Sequence, residues 1–402
     1  MFIITSHVFK SNNFSKEVFI VSAVRTPIGS FQGSLSSMTA TKLGACALKS
    51  ALDKAGLQKD EIPEVYMGQV VQAACKQSPA RQVALFAGLS ESTEATTVNK
   101  VCASGMKAVM LAAQNIMCGH QDVMAAGGME SMSNVPFYMR RGNTVYGGMQ
   151  LYDGIVYDGL TDVYNDIHMG VCAENIAKVL NISRAEQDEY AINSYRKSHE
   201  AGQKGIFKKE IVPVVVKDKK GKELTVDTDE EYSKFDVDKF KLLKPAFRKD
   251  GTVTAGNSST LNDGACALIL LSEGQLKSRK LNPLARIVGF ADAATNPIDF
   301  TIAPSFAIPK LLKTTGWKIK DINRWEINEA FSVVALANIK KLGLDPTLVN
   351  VNGGAVSIGH PIGMSGARII AHLVHNLKAG EKGVAAICNG GGAASSILIE
   401  KL

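Results

Sequence analysis

No run of apolar residues in this chain approaches the roughly 20 that a bilayer-spanning helix needs, and the sequence offers no membrane-binding signal in its place. A disulfide framework is missing too. Seven cysteines (Cys46, Cys75, Cys102, Cys118, Cys172, Cys266 and Cys388) are scattered through 402 residues, the usage of a chain kept in a reducing compartment. Basic motifs interleaved with aromatics are absent, and only 6% of residues are aromatic, which sets nucleic acid aside as a partner. The formal net charge of +7 then points to a small anionic ligand. With 46% hydrophobic and 21% charged residues wholesale disorder is excluded, and the length allows two or three domains. Residues 1–15 carry Ser6, Lys10 and Ser11 but neither an acid nor an arginine, a composition that suits a short mitochondrial leader or a disordered start equally.

One stretch without carboxylates carries the first candidate for chemistry. Asn99-Lys100-Val101-Cys102-Ala103-Ser104-Gly105-Met106-Lys107-Ala108 reads as a turn opening onto a helix, with Cys102 at the helix's first turn. Unpaired N–H groups and the positive end of the helix dipole favour thiolate there. No Asp or Glu follows until Asp122, so nothing nearby in sequence opposes the negative sulfur. Val109, Met110, Ala113, Ile116 and Met117 make the helix apolar on most faces, hence buried. On local sequence alone, Cys102 reads equally as a small buried hydrophobe or as a nucleophile.

Strand and helix patterns alternate around it. Residues 17–24 read as a buried strand, 41–55 as a helix, 65–71 as a strand and 122–128 as a strand ending in glycines, the rhythm of a layered α/β domain. After Gly128 the period is lost through residue 159, a stretch expected to form an oligomer contact. Helical periodicity returns at 168–180 and 184–200, the second started by Ser183 and Gln187. Lysines crowd residues 203–249 but alternate with acids, which reads as a solvated face. Regular α/β pattern resumes near 268. The expected organisation is an N-terminal half at 17–131 completed by about 248–280, an inserted loop domain at 132–247, and a C-terminal half at 281–402.

The halves look alike. Ser104-Gly105-Met106-Lys107-Ala108 has a counterpart in Ser365-Gly366-Ala367-Arg368-Ile369, and each apolar helix leads to an alanine-rich strand. A duplicated unit would bring both helix-opening segments to one interface. The second half adds His360, in the glycine-rich 353–363 loop, and Cys388, before Asn389-Gly390-Gly391-Gly392, whose N–H groups could face an oxyanion.

Taken together, Val98 to Gly105, Asn328-Glu329-Ala330-Phe331, Gly359-His360-Pro361 and Cys388-Asn389-Gly390-Gly391-Gly392 resemble, in order and spacing, the four signature segments of the thiolases, over about residues 16–402. The resemblance implies duplicated α/β domains layered α-β-α-β-α with an inserted loop domain. It implies reversible thiolytic cleavage of acetoacetyl-CoA, with 2-methylacetoacetyl-CoA a further substrate, and the reverse Claisen condensation. Cys102 would carry the acetyl group, His360 would activate the thiol, and Cys388 would be the general acid/base. Asn328 would hold a water for the enolate, with the N–H groups of Cys102 and Gly390 facing the acyl-transfer oxyanion. Coenzyme A contacts would come from Tyr195, Lys234, Phe235, Asp236, Lys239, Ser259 and His168.

The short-chain, potassium-activated branch is the most similar, in Phe300 and the His168-Met169-Gly170 segment, although Thr301 stands where that branch often has proline. Potassium would be held by Tyr195 and by carbonyls around Ala255, Gly256, Ser258 and Val356, with no covalent cofactor. The resemblance also implies a homotetramer in the mitochondrial matrix, with the cytoplasm second, and acetyl-CoA, acetoacetyl-CoA and CoA as partners. A ketoacyl synthase has no thiol at the position of Cys388. A longer-chain 3-ketoacyl-CoA thiolase and a noncatalytic acyl-CoA-binding protein on the same scaffold are the competing readings.

Overall fold

The computed structural model describes residues 16–142, 146–217 and 220–402, so the suspected leader at 1–15 lies outside the described residues. A ten-stranded mixed sheet runs through the molecule. Its strands are β1 (Val18–Arg25), β2 (Glu64–Gly68), β3 (Glu94–Val98), β4 (Val123–Ser131), β5 (Asn262–Ser272), β6 (Ala285–Ala294), β7 (Arg324–Ile327), β8 (Lys382–Asn389) and β9 (Ala393–Lys401). The short strand Gly29–Ser30 lies alongside β5. Across the sheet the order is β7-β8-β9-β6-β1-β5-β4-β2-β3.

The repeat is visible in the pairing. From the outside inwards, β2-β4-β5-β1 pairs parallel, antiparallel, antiparallel, and β7-β8-β9-β6 does the same. The two series meet where Val18–Ile20 of β1 pairs with Ala285–Ile287 of β6.

Side chains alternate across each strand, so each half of the sheet feeds two cores. Leu268 and Leu270 of β5 point to a central layer while Ile269 and Leu271 point outwards. All four are fully buried, each stabilising the fold by roughly 1.5–3 kcal/mol. Two helices fill the central layer, α3 (Ser104–Met117) and α8 (Ile362–Asn376). Outside the first half pack α1 (Ala40–Ala55) and α2 (Pro79–Phe86). Outside the second pack α4 (Met169–Val179), α6 (Pro304–Thr315) and α7 (Ser332–Leu342), while α5 (Arg184–Gln203) extends beyond them. This is the expected α-β-α-β-α layering. Among the described residues no helix is long and apolar enough to cross a membrane.

The central helices touch backbone to backbone. A Cβ on Gly105 would lie 2.8 Å from the Gly363 carbonyl oxygen, and one on Gly128 of β4 would lie 2.1 Å from the same oxygen. Only glycine allows that approach.

Four expectations need correction. Strand β4 continues to Ser131, so the irregular stretch begins later than Gly128 and contains the short pairs Phe137–Tyr138 and Tyr152–Asp153. The strand expected to reach residue 71 stops at Gly68, where Glu130 captures the N–H groups of Val70 and Val71. Helix α5 is started by Ser183 with Glu186 in a reciprocal capping box, while Gln187 instead reaches Thr252. The 203–249 segment is not only a solvated face. Its Glu210 and Asp229 are buried against Arg25 of β1, at 2.7 Å and 2.6 Å, pinning the segment to the sheet.

Candidate active site

The turn between β3 and α3 is held under strain. Val101 has φ +47°, a conformation that for a β-branched residue is unfavourable by about 1–3 kcal/mol and survives only where the surroundings fix it. They do so locally: the Val101 N–H donates to Asn99 Oδ1 (2.9 Å), and Ser104 Oγ accepts from the Lys100 N–H (2.8 Å) and donates to the Val101 carbonyl (2.6 Å). Helix α3 starts at Ser104 with Ala103 as its cap, so Cys102 precedes the helix instead of occupying its first turn.

The expected thiolate is not what this environment favours. Burial pushes the Cys102 thiol up to about 11, although its own N–H and that of Gly390 both donate towards the sulfur and lower it. Glu130, brought in by β4 and itself raised by burial to about 8, opposes a thiolate once it ionises, a neighbour that the carboxylate-free local sequence could not reveal. At rest Cys102 is a thiol.

Beside it stands a neutral imidazole. Burial, with a smaller contribution from the Arg368 charge, lowers His360 to about 3. Its Nδ1 lies 2.5 Å from Ser365 Oγ, which donates to the Pro361 carbonyl at 3.0 Å, and its Nε2 lies 3.4 Å from the Asn328 amide nitrogen. That network puts the ring proton on Nδ1 and leaves the Nε2 lone pair free to accept one. The main chain is fixed as well, since the His360 N–H donates to Asn262 Oδ1 (2.8 Å). Gly359 is needed before it: φ is +101°, and a Cβ there would meet the Asn262 amide at 2.5 Å.

Cys388 is the penultimate residue of β8, fully buried and close enough to Cys102 for the sulfur charges to oppose one another. Burial first, and Cys102 second, push its thiol well above the usual range. The turn after it delivers the Gly390 N–H to the Cys102 sulfur.

Cys102 and His360 both face a cavity of about 520 Å³, whose walls include His168, Phe247, Ser259 and Phe300. His168 stacks on Phe247 with ring centroids 4.8 Å apart, accepts the Gly170 N–H at Nδ1 (3.0 Å), and is held neutral by burial. Ala255, Ser258 and Lys234 also border the cavity, and the Lys234 ammonium lies against Ser30. Asn328 and Cys388 are fully buried next to His360 and Cys102 and do not line it.

The remaining expected contacts form a neighbouring cluster. Tyr195 stacks on Phe235 (4.3 Å) and packs with Val356 and Phe240, against which Gly256 also lies. Asp236 caps the short helix Val237–Lys241 and pairs with Lys239 at 3.3 Å, and neither borders the cavity.

Sequence reasoning missed Glu130, Asn262 and the orienting role of Ser365. Ser365 had been visible as part of the repeated helix start, five residues after His360. Asn262 and Glu130 carried no signal, because their partners lie 98 and 233 residues away in the chain.

A reactive thiol, a neutral imidazole and two converging N–H groups, shared between the halves of a duplicated α/β fold, define an acyl-transfer site. Residues 18–274 match the family model described as Thiolase, N-terminal domain, and residues 281–401 match Thiolase, C-terminal domain, so the chain belongs to the thiolase family. It is 62% identical over 395 residues to acetyl-CoA acetyltransferase A, mitochondrial, of Xenopus laevis, covering 98% of this chain and 94% of that one. With the mitochondrial acetyl-CoA acetyltransferase of Homo sapiens it shares 62% identity over 388 residues, 96% of this chain and 91% of that one. Among solved structures, the Acat5 thiolase from Ascaris suum in complex with coenzyme A superposes with a TM-score of 0.94 at 48% identity, covering 96% of this chain and all of that one. The Bacillus anthracis acetyl-CoA acetyltransferase gives 0.94 at 41% identity, covering 97% and 100%.

Proposed function

We propose that this chain is a short-chain acetyl-CoA C-acetyltransferase of the mitochondrion, cleaving acetoacetyl-CoA with CoA and catalysing the reverse condensation. The observation that carries this reading is the convergence of the Cys102 and Gly390 N–H groups on a buried thiol beside an imidazole able to take its proton. The names of the relatives agree with it. Phe300, fully buried at the cavity wall, favours a short acyl chain.

In the condensing direction His360 Nε2 accepts the Cys102 proton as the sulfur bonds to the acetyl carbonyl carbon of the first acetyl-CoA. A thiol near 11 facing an imidazole near 3 does not ionise beforehand, so proton transfer accompanies C–S bond formation. The developing oxyanion lies against the N–H groups of Cys102 and Gly390; as the bond to the CoA sulfur breaks, His360 hands that sulfur the proton, CoA leaves as the thiol, and acetyl-Cys102 remains. Cys388 gives its proton to the His360 ring, and its thiolate, a strong base because burial makes the thiol a weak acid, removes the α-proton of the second acetyl-CoA. The enolate is steadied by His360 and by a water on Asn328, whose buried Oδ1 has no partner among the described residues. Its carbon attacks the acetyl carbonyl, the C–S bond to Cys102 breaks, and the proton on His360 returns to the sulfur, giving acetoacetyl-CoA and restoring the thiol.

Two thiols in two roles make the test. Cys102→Ala should take up no labelled acetyl group from acetyl-CoA. Cys388→Ala should become acetylated yet fail to exchange the α-protons of acetyl-CoA into deuterated water. Equal loss of both partial reactions in both variants would contradict the assignment.

Potassium is proposed at the Tyr195 cluster. Among the described residues no hydrogen bond reaches the carbonyl oxygens of Ala255, Gly256, Ser258 or Val356, a set of oxygens free for a hard cation. Bound there, the ion would supply a fixed positive charge beside the loop that borders the cavity. Exchange of KCl for NaCl at equal ionic strength should lower the melting temperature and kcat; no response to the cation would remove potassium from the reading. Coenzyme A is proposed to enter past Lys234 and Ser259. A homotetramer is proposed through the 132–159 part of the 132–247 insertion, where Phe137, Met139, Met149 and Leu151 are exposed.

A further inference from the structure

A cluster of charges sits behind the Cys102 turn, outside the cavity and unused by the steps above. Lys100 Nζ reaches across from the first half to Asp292 Oδ1 of β6 (2.5 Å) and to Ser395 Oγ of β9 (2.7 Å), with the Ala394 carbonyl at 3.4 Å. Ser395 Oγ donates to the same Asp292 oxygen at 2.6 Å, and Lys107 of α3 takes the other oxygen at 2.8 Å. Burial alone would raise the Asp292 carboxyl, but Lys100, Lys107 and Ser395 hold it down to about 2, so it is a carboxylate at neutral pH.

The location gives the cluster its meaning. Lys100 immediately precedes strained Val101 and the nucleophile. Ala394 and Ser395 follow within five residues of Gly390, on the strand that leaves the Asn389-Gly390-Gly391-Gly392 turn. The lysine thus ties the segment carrying one oxyanion-facing N–H to the segment carrying the other, across the boundary between the repeats.

We propose that Lys100 and Asp292 are positioning residues for acyl transfer, their ion pair fixing the distance between the Cys102 and Gly390 N–H groups. This rests on the acyl-transfer reading above. Misplacing a donor by about 1 Å can slow catalysis by on the order of 100-fold. A pair that merely stabilised the fold would change neither the alignment nor the acidity of the sulfur.

Lys100→Met should lower kcat for acetoacetyl-CoA thiolysis at least about tenfold, with KM for CoA little changed because the cluster does not border the cavity. It should also raise the pH midpoint of iodoacetamide alkylation, read on the Cys102 peptide by mass spectrometry, because the sulfur loses the Gly390 N–H. Lys100→Arg should restore most of both. Ser395→Ala, a smaller lesion at the same junction, should move both in the same direction and keeps the question open to test if Lys100→Met does not fold. Lys107→Met removes a partner of Asp292 without touching the turn; it should lower the melting temperature and leave kcat and the midpoint near wild type. The proposal is overturned if folded Lys100→Met and Ser395→Ala keep wild-type kcat and midpoint, or if Lys107→Met behaves as Lys100→Met does. A wild-type protein without thiolase activity whose alkylation midpoint still rises in Lys100→Met would refute the functional reading and leave the positioning role intact.

Discussion

At the scale of single residues, burial outweighs local sequence. His360 shows this with a sign that can be checked. Its folded value near 3 lies below the ordinary 6.5, so between those values the unfolded chain binds the extra proton and the folded one does not. Stability contributed by the neutral ring is therefore present above about 6.5 and is lost as the pH falls towards 3. Urea midpoints taken across that range should fall more steeply for the wild type than for His360→Gln; parallel curves would mean the ring is not held neutral. Cys102, His360 and Cys388 were legible as candidates only together, through the order and spacing of the four signature segments, since each local setting alone left its residue ambiguous. The protonation state of Cys102 was not legible, since it is set by the depth of the site, which only folding creates.

At the scale of elements, the period of apolar residues located the long strands and the central helices, whose faces are decided by which core they fill. The short strand β3, exposed at alternate positions, and the short β7 had too few residues to show a period. Helix α6 was not located: it opens on Pro304 and carries Pro309 inside it, residues that interrupt a helical pattern. The meeting of α3 and α8 followed from the duplication, which placed both helix starts at one interface; how closely their backbones touch did not, because a glycine in a helix start looks the same whether it faces solvent or another backbone. Gly128→Ala should destabilise the protein by at least about 1–3 kcal/mol, since the added methyl meets main chain that cannot rotate away. Gly142→Ala is the matched control, with no neighbour within 4 Å. Chemical denaturation compares them, and equal midpoints would show that the helices can separate without penalty.

At the scale of the whole molecule, the duplication could be read from two helix starts, whereas the fastening of the insertion could not. Arg25 holds Asp229 through both terminal nitrogens, at 2.6 and 2.8 Å, and Glu210 through Nε at 2.7 Å, all fully or nearly fully buried. Glu210 in turn meets His372 of α8 at 2.9 Å. Acids scattered among lysines gave no sign of this, because their partner lies about 200 positions earlier in the chain. Arg25→Met should destabilise by roughly 3–5 kcal/mol by stranding two buried carboxylates. Arg25→Lys should recover little, lacking the fork that spans two acids. Limited proteolysis should then cut first within residues 203–249; cleavage elsewhere at the wild-type rate would show that this pair does not anchor the segment.

The segment ahead of each central helix contributes one member of the reactive pair, a sulfur from the first copy and a ring nitrogen from the second. A single ancestral repeat could have assembled such a pair only by docking against its twin, and would then have built it twice, once on each side of the dyad. The present molecule is symmetric in its scaffold and asymmetric in the residues its two halves bring to the cavity.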